Sequence, residues 1–437
     1  MFSKIRGTQD FLDLTLYNFI VDTLKKHLAT YHFSEISTPI LEPTDLFKRS
    51  LGLQTDVVTK EMFTINTGPE GESGSPSPDG VKLGSPSPDG AQGICLRPEA
   101  TASVVRAFVE NGVQQVPWKV FLCGPMFRHE RPQKGRYRQF HQVSMEIIGA
   151  PSIAYDVQFI KMLDRYFHEV LHINSYALLI NFIGCFDDRA AHKVLLAEFL
   201  QDDTARDICD LCKVRKDTNI LRIFDCKNPI CQKIYINAPR IADNLCVPCT
   251  AEWQQVQDQL HMLSVSFVYD PKLVRGLDYY NKTVFEFSSD NLGSQSAFAG
   301  GGRYDSLVAQ IGGKVDQPSV GAAIGIERLM LLLEPLKDQL PITQPPKLHV
   351  IIPMEKEQQS LALLLADELQ ARGLCTEVLL DGASMKSMMR HANKLAATYC
   401  LILGSDEQAT RTVTVKNMVN STSEKIPQIE LINYLSK

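Results

Sequence analysis

Between Leu336 and Pro346 the chain changes its habit, and that break constrains the fold more than any other feature of the sequence. Beyond it, strand-like and helix-like stretches alternate. Leu348–Pro353 reads as a strand, Glu357–Arg372 as a helix stopped by Gly373, and Cys375–Leu380 as a strand. Met385–Ala397 reads as a helix, and Tyr399–Leu403 and Thr412–Lys416 as strands. Such alternation over about 90 residues predicts a separate small α/β domain. Ahead of the break, strand-like runs at Trp118–Cys123, Arg138–Ile147, Tyr176–Ile183, Thr283–Ser288 and Ser319–Gly325 are separated by long helical patterns and bounded by arginine-rich turns. Without strict β-α-β alternation, an antiparallel sheet flanked by helices, an α+β fold, is expected over a doubly wound one. The expected division is a domain over 1–335, a linker over 336–346 and a second domain over 347–437.

Three segments refine this picture. Residues 9–31 carry apolar positions at helical spacing, and Phe33–Glu42 then reads as a strand whose Pro39 suits an edge or an interface. Residues 67–94 are rich in Gly, Pro and Ser and repeat the heptapeptide GSPSPDG, so they cannot bury enough apolar surface to offset their ordering entropy. With strand-like flanks at Glu61–Ile65 and Ile94–Arg97, they are expected to form a flexible, enlarged hairpin tip. Residues 186–262 are helix-rich and Cys-rich, an insertion between two strand-bearing halves.

The charge sum is 45 basic against 50 acidic residues, or −5, so no polyanion partner is advertised globally and any phosphate or RNA site must come from local charge. No run of ~18 apolar residues is present to span a membrane. The first residues lack the apolar stretch of a secretory signal, and Asp10 and Asp13 argue against a transit peptide. Eleven cysteines without a secretion signal predict reduced thiols in the cytoplasm.

Five polar clusters can do chemistry. The densest is Phe127–Phe140, in which Arg128, Arg131, Lys134, Arg136 and Arg138 surround a Pro/Gly turn together with Glu130. Guanidinium forks on a strand-held turn offer paired donors to phosphate oxygens, although charged hairpin tips are also common as plain solvated turns. The following alternation places Gln142 and Glu146 on the same strand face as Phe140 and Ser144. The others are Leu96–Thr101, Val274–Tyr280 running into the strand from Thr283, Ala299–Asp305 with three adjacent glycines, and Gly321–Arg328. Taken alone, Glu99 and Thr101 also fit a helix cap, Tyr279 and Tyr280 core aromatics, and Glu146 an ion pair with Arg128 or Arg136. Neither the P-loop nor the dinucleotide glycine fingerprint is present.

Together the clusters resemble the class II aminoacyl-tRNA synthetases, and among them the histidyl-tRNA synthetase family, over nearly the whole chain from Lys4-Ile5-Arg6-Gly7-Thr8-Gln9-Asp10 onward. The stretch around Pro39 resembles the first class II motif, a dimer-forming helix and strand. Arg128 through Gln142 resembles the second and Gly325-Ile326-Glu327-Arg328 the third. Arg275-Gly276-Leu277-Asp278-Tyr279-Tyr280 and Gly301-Gly302-Arg303-Tyr304-Asp305 resemble the two histidine-specific signatures.

The resemblance implies a homodimeric cytoplasmic histidine–tRNA ligase. It would activate L-histidine with ATP, accompanied by Mg²⁺, and transfer it to the 3′ end of histidine tRNA. Arg128 would bind the α-phosphate and the histidine carboxylate, Arg328 the γ-phosphate, and Glu130 the adenine amine, with Arg136 beside the phosphates. Glu99, Thr101 and Gln142 would hold the α-ammonium. Glu146 and Tyr280 would take the imidazole nitrogens, with Tyr279 and Tyr304 completing the pocket. Arg275 would stabilise the α-phosphate as it becomes five-coordinate, and no metal ligand belongs to this residue set. Residues 347–437 resemble the family's anticodon-binding domain, and Lys386, Arg390 and Lys394 on one helix offer a local RNA face. The alternative is a catalytically inactive, synthetase-like regulatory subunit of ATP phosphoribosyltransferase. Such paralogues generally lack the C-terminal domain and lose catalytic positions, both of which this chain keeps.

Two C-x-x-C pairs, Cys209/Cys212 and Cys246/Cys249, have the spacing that brings two thiolates to one zinc ion, with 33 residues between the pairs and Cys226 and Cys231 in that interval. A structural zinc at Cys209, Cys212, Cys246 and Cys249 and ordinary reduced thiols both fit the sequence.

Overall fold

The computed structural model describes residues 2–65, 93–201, 206–343, 345–380 and 384–436. The chain divides into two compact units, Met1–Ile342 and Thr343–Lys437. Leu340 and Ile342 pack on the first unit's core, and Lys337 bonds Asp13 at 2.8 Å, so the first part of the proline-bearing segment after Leu336 belongs to that unit.

The strands of the first unit are β1 (Ser34–Glu35), β2 (Leu41–Pro43), β3 (Thr64–Ile65), β4 (Ile94–Leu96), β5 (Trp118–Phe127), β6 (Gln139–Ile148), β7 (Ala177–Phe182), β8 (Val268–Tyr269), β9 (Asn281–Ser288), β10 (Ala297–Arg303) and β11 (Ser319–Gly325). Eight of them form one sheet in the order β1-β5-β6-β11-β10-β9-β7-β8, antiparallel except for the edge pairs β1–β5 and β7–β8. The expected strand over Phe33–Glu42 is two short strands in different sheets. β1 joins the large sheet, while β2 joins β4 and β3. The break falls at Thr38-Pro39, where the Arg97 guanidinium donates to the Thr38 carbonyl at 3.0 Å and hydroxyl at 3.1 Å. The first helix is shorter than its apolar pattern: it spans Thr15–Thr30, and Asp13 accepts from the Thr15 amide at 2.8 Å at its start.

The glycine cluster after Ala299 is β10, a central strand that composition alone does not announce. Side chains there have no room. A Cβ on Gly301 would collide with the Gly321 carbonyl of β11, and one on Gly302 would approach the Thr283 carbonyl at 2.6 Å. The Gly/Pro/Ser loop expected over 67–94 lies outside the described residues except for Gly93 and Ile94, and its flanking strands pair with Thr64 opposite Cys95.

One face of the large sheet carries the main core. Val143, Met145, Ile147, Ile324, Phe285 and Phe287 pack beneath helices Thr15–Thr30, Ala154–Arg165 and Ile326–Leu333. Between β7 and β9 the chain makes the expected helical insertion: Phe186–Phe199, Asp210–Thr218, Pro229–Ile234 and Val247–Met262.

The second unit has a five-stranded sheet of β12 (His349–Pro353), β13 (Thr376–Val378), β14 (Tyr399–Leu403), β15 (Thr412–Asn417) and β16 (Ser423–Pro427), in the order β13-β12-β14-β15-β16. β16 escapes the sequence pattern because it is a polar, largely exposed edge whose Glu424 and Lys425 also guard against edge-to-edge pairing. No described helix is long and apolar enough to cross a membrane.

A buried ion pair locks the end of β10 to helix Ala154–Arg165. Arg303 is 1 % exposed; its Nε donates to both Asp156 oxygens at 3.1 Å, and its other nitrogens reach the Ala150 and Ser152 carbonyls. Arg303→Leu strands the Asp156 charge in the interior and is expected to cost about 3–5 kcal/mol. Urea denaturation measures this, and an unchanged midpoint would contradict the assignment.

Candidate active site

The face of the sheet opposite the main core is floored by small residues. Register places Ser144 of β6 opposite Ala323 of β11, which lies opposite Gly300 of β10, and places Glu146 opposite Gly321, which lies opposite Gly302. The missing side chains make a trough, and larger groups from β6, β9 and the loops stand in it. A Cβ on Gly321 would collide with the Glu146 carboxylate, and one on Gly300 would meet the Arg275 guanidinium at 2.8 Å. The result is a cavity of about 320 Å³ lined by Glu99, Thr101, Arg128, Glu130, Arg136, Gln142, Arg275, Tyr279, Tyr280 and Arg328.

One end is acidic and phenolic. Glu146, fully buried, lies directly beneath the lining, where the Thr101 hydroxyl donates to one carboxylate oxygen at 2.7 Å and the Tyr304 hydroxyl to the other. Burial pushes the Glu146 carboxyl up to about 8, with the neighbouring Glu99 adding to the rise and the two hydroxyl bonds opposing it. Glu99 accepts from the Thr101 and Ala102 amides at 2.8 Å each, so its carboxylate caps helix Thr101–Glu110. Burial nevertheless raises its pKa. The rings of Tyr279 and Tyr280 lie 4.5 Å apart, and Tyr279 meets Tyr304 edge-on at 5.6 Å. Burial lifts all three phenols, Tyr280 to about 12, so they are neutral hydrogen-bonding groups at ordinary pH. Gln142 Oε1 is buried and has no hydrogen-bond partner among the described residues, an acceptor waiting for a donor.

The other end is cationic. Arg128 spends its Nε on the Pro98 carbonyl at 2.8 Å and lies over the Phe140 ring, and its terminal nitrogens form a fork whose Nη1 lies 4.0 Å from Glu130. Arg136 pairs with Glu130 and lies 3.8 Å from Glu61. Arg328 donates to the Gly135 carbonyl at 3.0 Å and to that of Ala297. Burial, with Arg136 and Arg128 nearby, brings the Arg328 guanidinium down to about 10. Arg275 pairs with Glu286 on β9, across from Gly300. Arg131 and Lys134 of the same turn are exposed and do not line the cavity, and Arg138 is buried.

Of the twelve candidate site residues, ten thus line the cavity, and the other two, Glu146 and Tyr304, are bonded to each other and buried just outside its lining. The local alternatives divide. The capping geometry of Glu99 is real, whereas Glu146 bonds hydroxyls instead of the arginines once expected beside it. The sequence reading passed over Arg222, Asp56, Glu61 and Glu286. Arg222 reaches the lining from the insertion and holds Asp56 at 3.2 Å. No local signal marks these residues; only the fold brings them in. Glu327 lay inside a quoted motif, and its carboxylate accepts from the His141 amide at 2.9 and 3.0 Å, pinning helix Ile326–Leu333 to β6.

The expected zinc set does not assemble. Cys209 and Cys212 group with Cys226 and Cys231, whereas Cys246 and Cys249 group with Cys185 and Asp188. The two C-x-x-C pairs begin different helices, Asp210–Thr218 and Val247–Met262, and each turns its thiols to partners nearer in the fold than the other pair.

Gly321→Ala is expected to displace the Glu146 carboxylate and weaken binding at the acidic end by at least tenfold with the fold retained, as read by ligand titration and circular dichroism; unchanged affinity would show that the glycine is not needed there. Because the Glu146 carboxyl is raised from 4.5 to about 8, the folded state binds the extra proton between those values, and stability falls as pH rises from about 4.5 to about 8. Glu146→Gln is expected to flatten that slope in denaturation measured across the same window; an identical slope would exclude Glu146 as its source.

Comparison with known proteins bears on this geometry. The family model described as Histidyl-tRNA synthetase matches residues 87–329, and that described as Anticodon binding domain matches residues 349–437. The histidine–tRNA ligase of Nitratidesulfovibrio vulgaris is 41 % identical over 431 residues, covering 97 % of this chain and 96 % of the relative. That of Solidesulfovibrio magneticus is 41 % identical over 428 residues, covering 97 % of this chain and 95 % of the relative. The crystal structure of apo S. aureus histidyl-tRNA synthetase superimposes with a TM-score of 0.78 at 30 % identity, with both chains fully covered. With a trough that sets phenols and carboxylates at one end against guanidiniums at the other, and with these relatives spanning nearly its whole length, the chain belongs to the histidyl-tRNA synthetase family.

Proposed function

We propose that this histidine–tRNA ligase seats histidine at the acidic, tyrosine-lined end of the trough and MgATP along the arginine wall, and that the residues divide the work as follows. One observation carries the reading: both kinds of group open onto a single cavity although they come from positions 99 to 328 of the chain.

At the acidic end, Glu99 and Gln142 take the α-ammonium beside Thr101. Each Glu99 oxygen accepts one backbone amide, Oε2 also a long 3.5 Å bond from the Tyr279 hydroxyl, and Oε1 keeps a further lone pair, so capping and ligand binding are compatible. The unpartnered Gln142 Oε1 supports the same role. Neutral imidazole presents one donor and one acceptor, which suits the Glu146 carboxylate and the Tyr280 hydroxyl, with Tyr279 and Tyr304 enclosing the ring. Glu146 takes one hydroxyl on each oxygen and retains lone pairs for an imidazole N–H, a donor that favours the ionised form over the proton burial otherwise holds there.

Along the other wall, the fork of Arg128, whose Nη1 lies 4.0 Å from Glu130, bridges the histidine carboxylate and the α-phosphate. Arg328 takes the γ-phosphate and Arg136 adds charge nearby, while Glu130 receives the adenine amine. Mg²⁺ enters with ATP as its phosphate-bound counter-ion. The histidine carboxylate oxygen attacks the α-phosphorus, the bond to the β-phosphate oxygen breaks, and pyrophosphate leaves with that electron pair. The carboxylate is already a nucleophile, so this step needs no general base. Catalysis is positioning plus electrostatic stabilisation by Arg275 of the charge that builds on the five-coordinate phosphorus. A terminal ribose hydroxyl of histidine tRNA then attacks the carbonyl carbon of the adenylate and gives up its proton, an ester bond forms, and the acyl–phosphate bond breaks with AMP leaving on that electron pair. In the second unit, Lys386, Arg390 and Lys394 stand exposed on helix Met385–Lys394 opposite buried Met388 and Ala392, a local cationic face for RNA.

A homodimer is part of the proposal, supported by exposed Ile40 and Leu41 beside Pro39. A cytoplasmic setting is supported by eleven cysteines of which none pairs in a disulfide. The regulatory alternative is disfavoured because the residues at both ends of the trough and the C-terminal unit are present together.

Histidine-dependent ATP–pyrophosphate exchange tests the reading, and its absence in folded protein, or its support by another amino acid instead, would sink it. Arg275→Ala is expected to lower the activation rate by ~10²–10³, as loss of an oxyanion-type donor does. A change below threefold would remove Arg275 from the mechanism.

A further inference from the structure

The helical insertion contains a second cluster that the aminoacylation site does not use. Cys209 stands at the start of helix Asp210–Thr218 and Cys212 in its first turn. Cys226 follows the helical turn Ile220–Asp225, and Cys231 lies in helix Pro229–Ile234. Their four sulfurs lie within 4.8 Å of one another, and Cys209 and Cys226 are 3.7 Å apart. A tetrahedral zinc site with Zn–S bonds of about 2.3 Å has sulfur–sulfur edges of about 3.8 Å. The C-x₂-C and C-x₄-C spacings are those with which short turns present two thiolates to one ion.

Burial of small apolar thiols explains why these side chains are inside, but not why all four sulfurs converge. Nor does it explain the backbone around them. The Cys209 amide points at Cys231 Sγ at 3.2 Å and the Asn228 amide at Cys226 Sγ at 3.4 Å, donors of the kind that steady metal-bound thiolates. The surrounding core is small, built on Leu196, Ile208, Ile223 and Tyr235, and a cluster of that size gains from a metal staple. The other cysteine group differs. It offers three sulfurs and one carboxylate, and the Asp188 oxygens accept the Cys185 and Cys246 amides at 3.1 and 2.8 Å, whereas the first group brings four sulfurs together.

We propose that Cys209, Cys212, Cys226 and Cys231 bind one structural Zn²⁺. Four thiolates close the coordination shell and leave no open position for catalysis. Between the two ligand pairs runs the segment that carries Asn219 to Asp278 at 3.0 Å and Arg222 to the trough, so the ion anchors both ends of a piece of the site's wall.

The test is metal analysis of the full chain purified without chelator, incubated with one equivalent of Zn²⁺ and desalted. Wild type and Cys246→Ser/Cys249→Ser are expected to retain about one zinc per chain, and Cys226→Ser/Cys231→Ser less than a tenth. Less than a tenth in wild type, full retention in Cys226→Ser/Cys231→Ser, or iron in place of zinc overturns the proposal. Because the serine variant could misfold, Co²⁺-substituted wild type supplies an independent reading. Intense visible bands with sulfur-to-cobalt charge transfer support a tetrathiolate site, and a weak spectrum without charge transfer overturns it.

Discussion

Glu146 carries no countercharge in its bonded surroundings, only two hydroxyls, and it occupies volume that any side chain at Gly321 would claim. Much of the pocket is arranged around that one buried carboxylate. The glycines of β10 and β11 let strands and loop groups close over it, and Thr101 and Tyr304 come from a helix start and a strand end to satisfy its oxygens. An unbonded carboxylate in that place would be costly, so the hydroxyls that satisfy it are also the groups that define the end of the trough.

Electrostatics then separates the two halves. Carboxylates and neutral phenols gather where burial favours protonated forms, and guanidiniums gather where several like charges face a common space. Arg328 feels that crowding, since burial and its arginine neighbours lower its pKa. Carboxylates temper it: Glu130 pairs with Arg136, and Glu286 pairs with Arg275. A wall of this kind is held ready for an anion instead of collapsing onto itself.

Several residues work for the scaffold and the site at once. Glu99 starts a helix and faces the cavity. Arg97 ties the break at Pro39 to β5 through the Thr38 and Pro125 carbonyls, and this sets the chain just before Pro98, whose carbonyl orients Arg128. Arg303, quoted within a family signature, is wholly structural: it is spent on Asp156 and three further oxygens in the interior.

Much of this was legible in one dimension. Alternation along β6 put Gln142 and Glu146 on one face, because side chains on a strand repeat every second residue. The switch of pattern near residue 340 announced a second unit for an equally local reason. Other features were not legible. The triple glycine became a central strand because its neighbours needed the space, and the C-x-x-C pairs found different partners because the insertion folds each onto its own surroundings. Arg222 and Asp56 came to the trough from segments with no distinguishing motif. Local chemistry and periodicity therefore determined the element types, the change of pattern between the two units and most of the cavity-lining residues, since these depend on neighbours along the chain. Which sulfurs meet, which carboxylate is sealed and which arginine is spent on structure were decided by tertiary packing, because burial and charge pairing exist only between segments brought together in space.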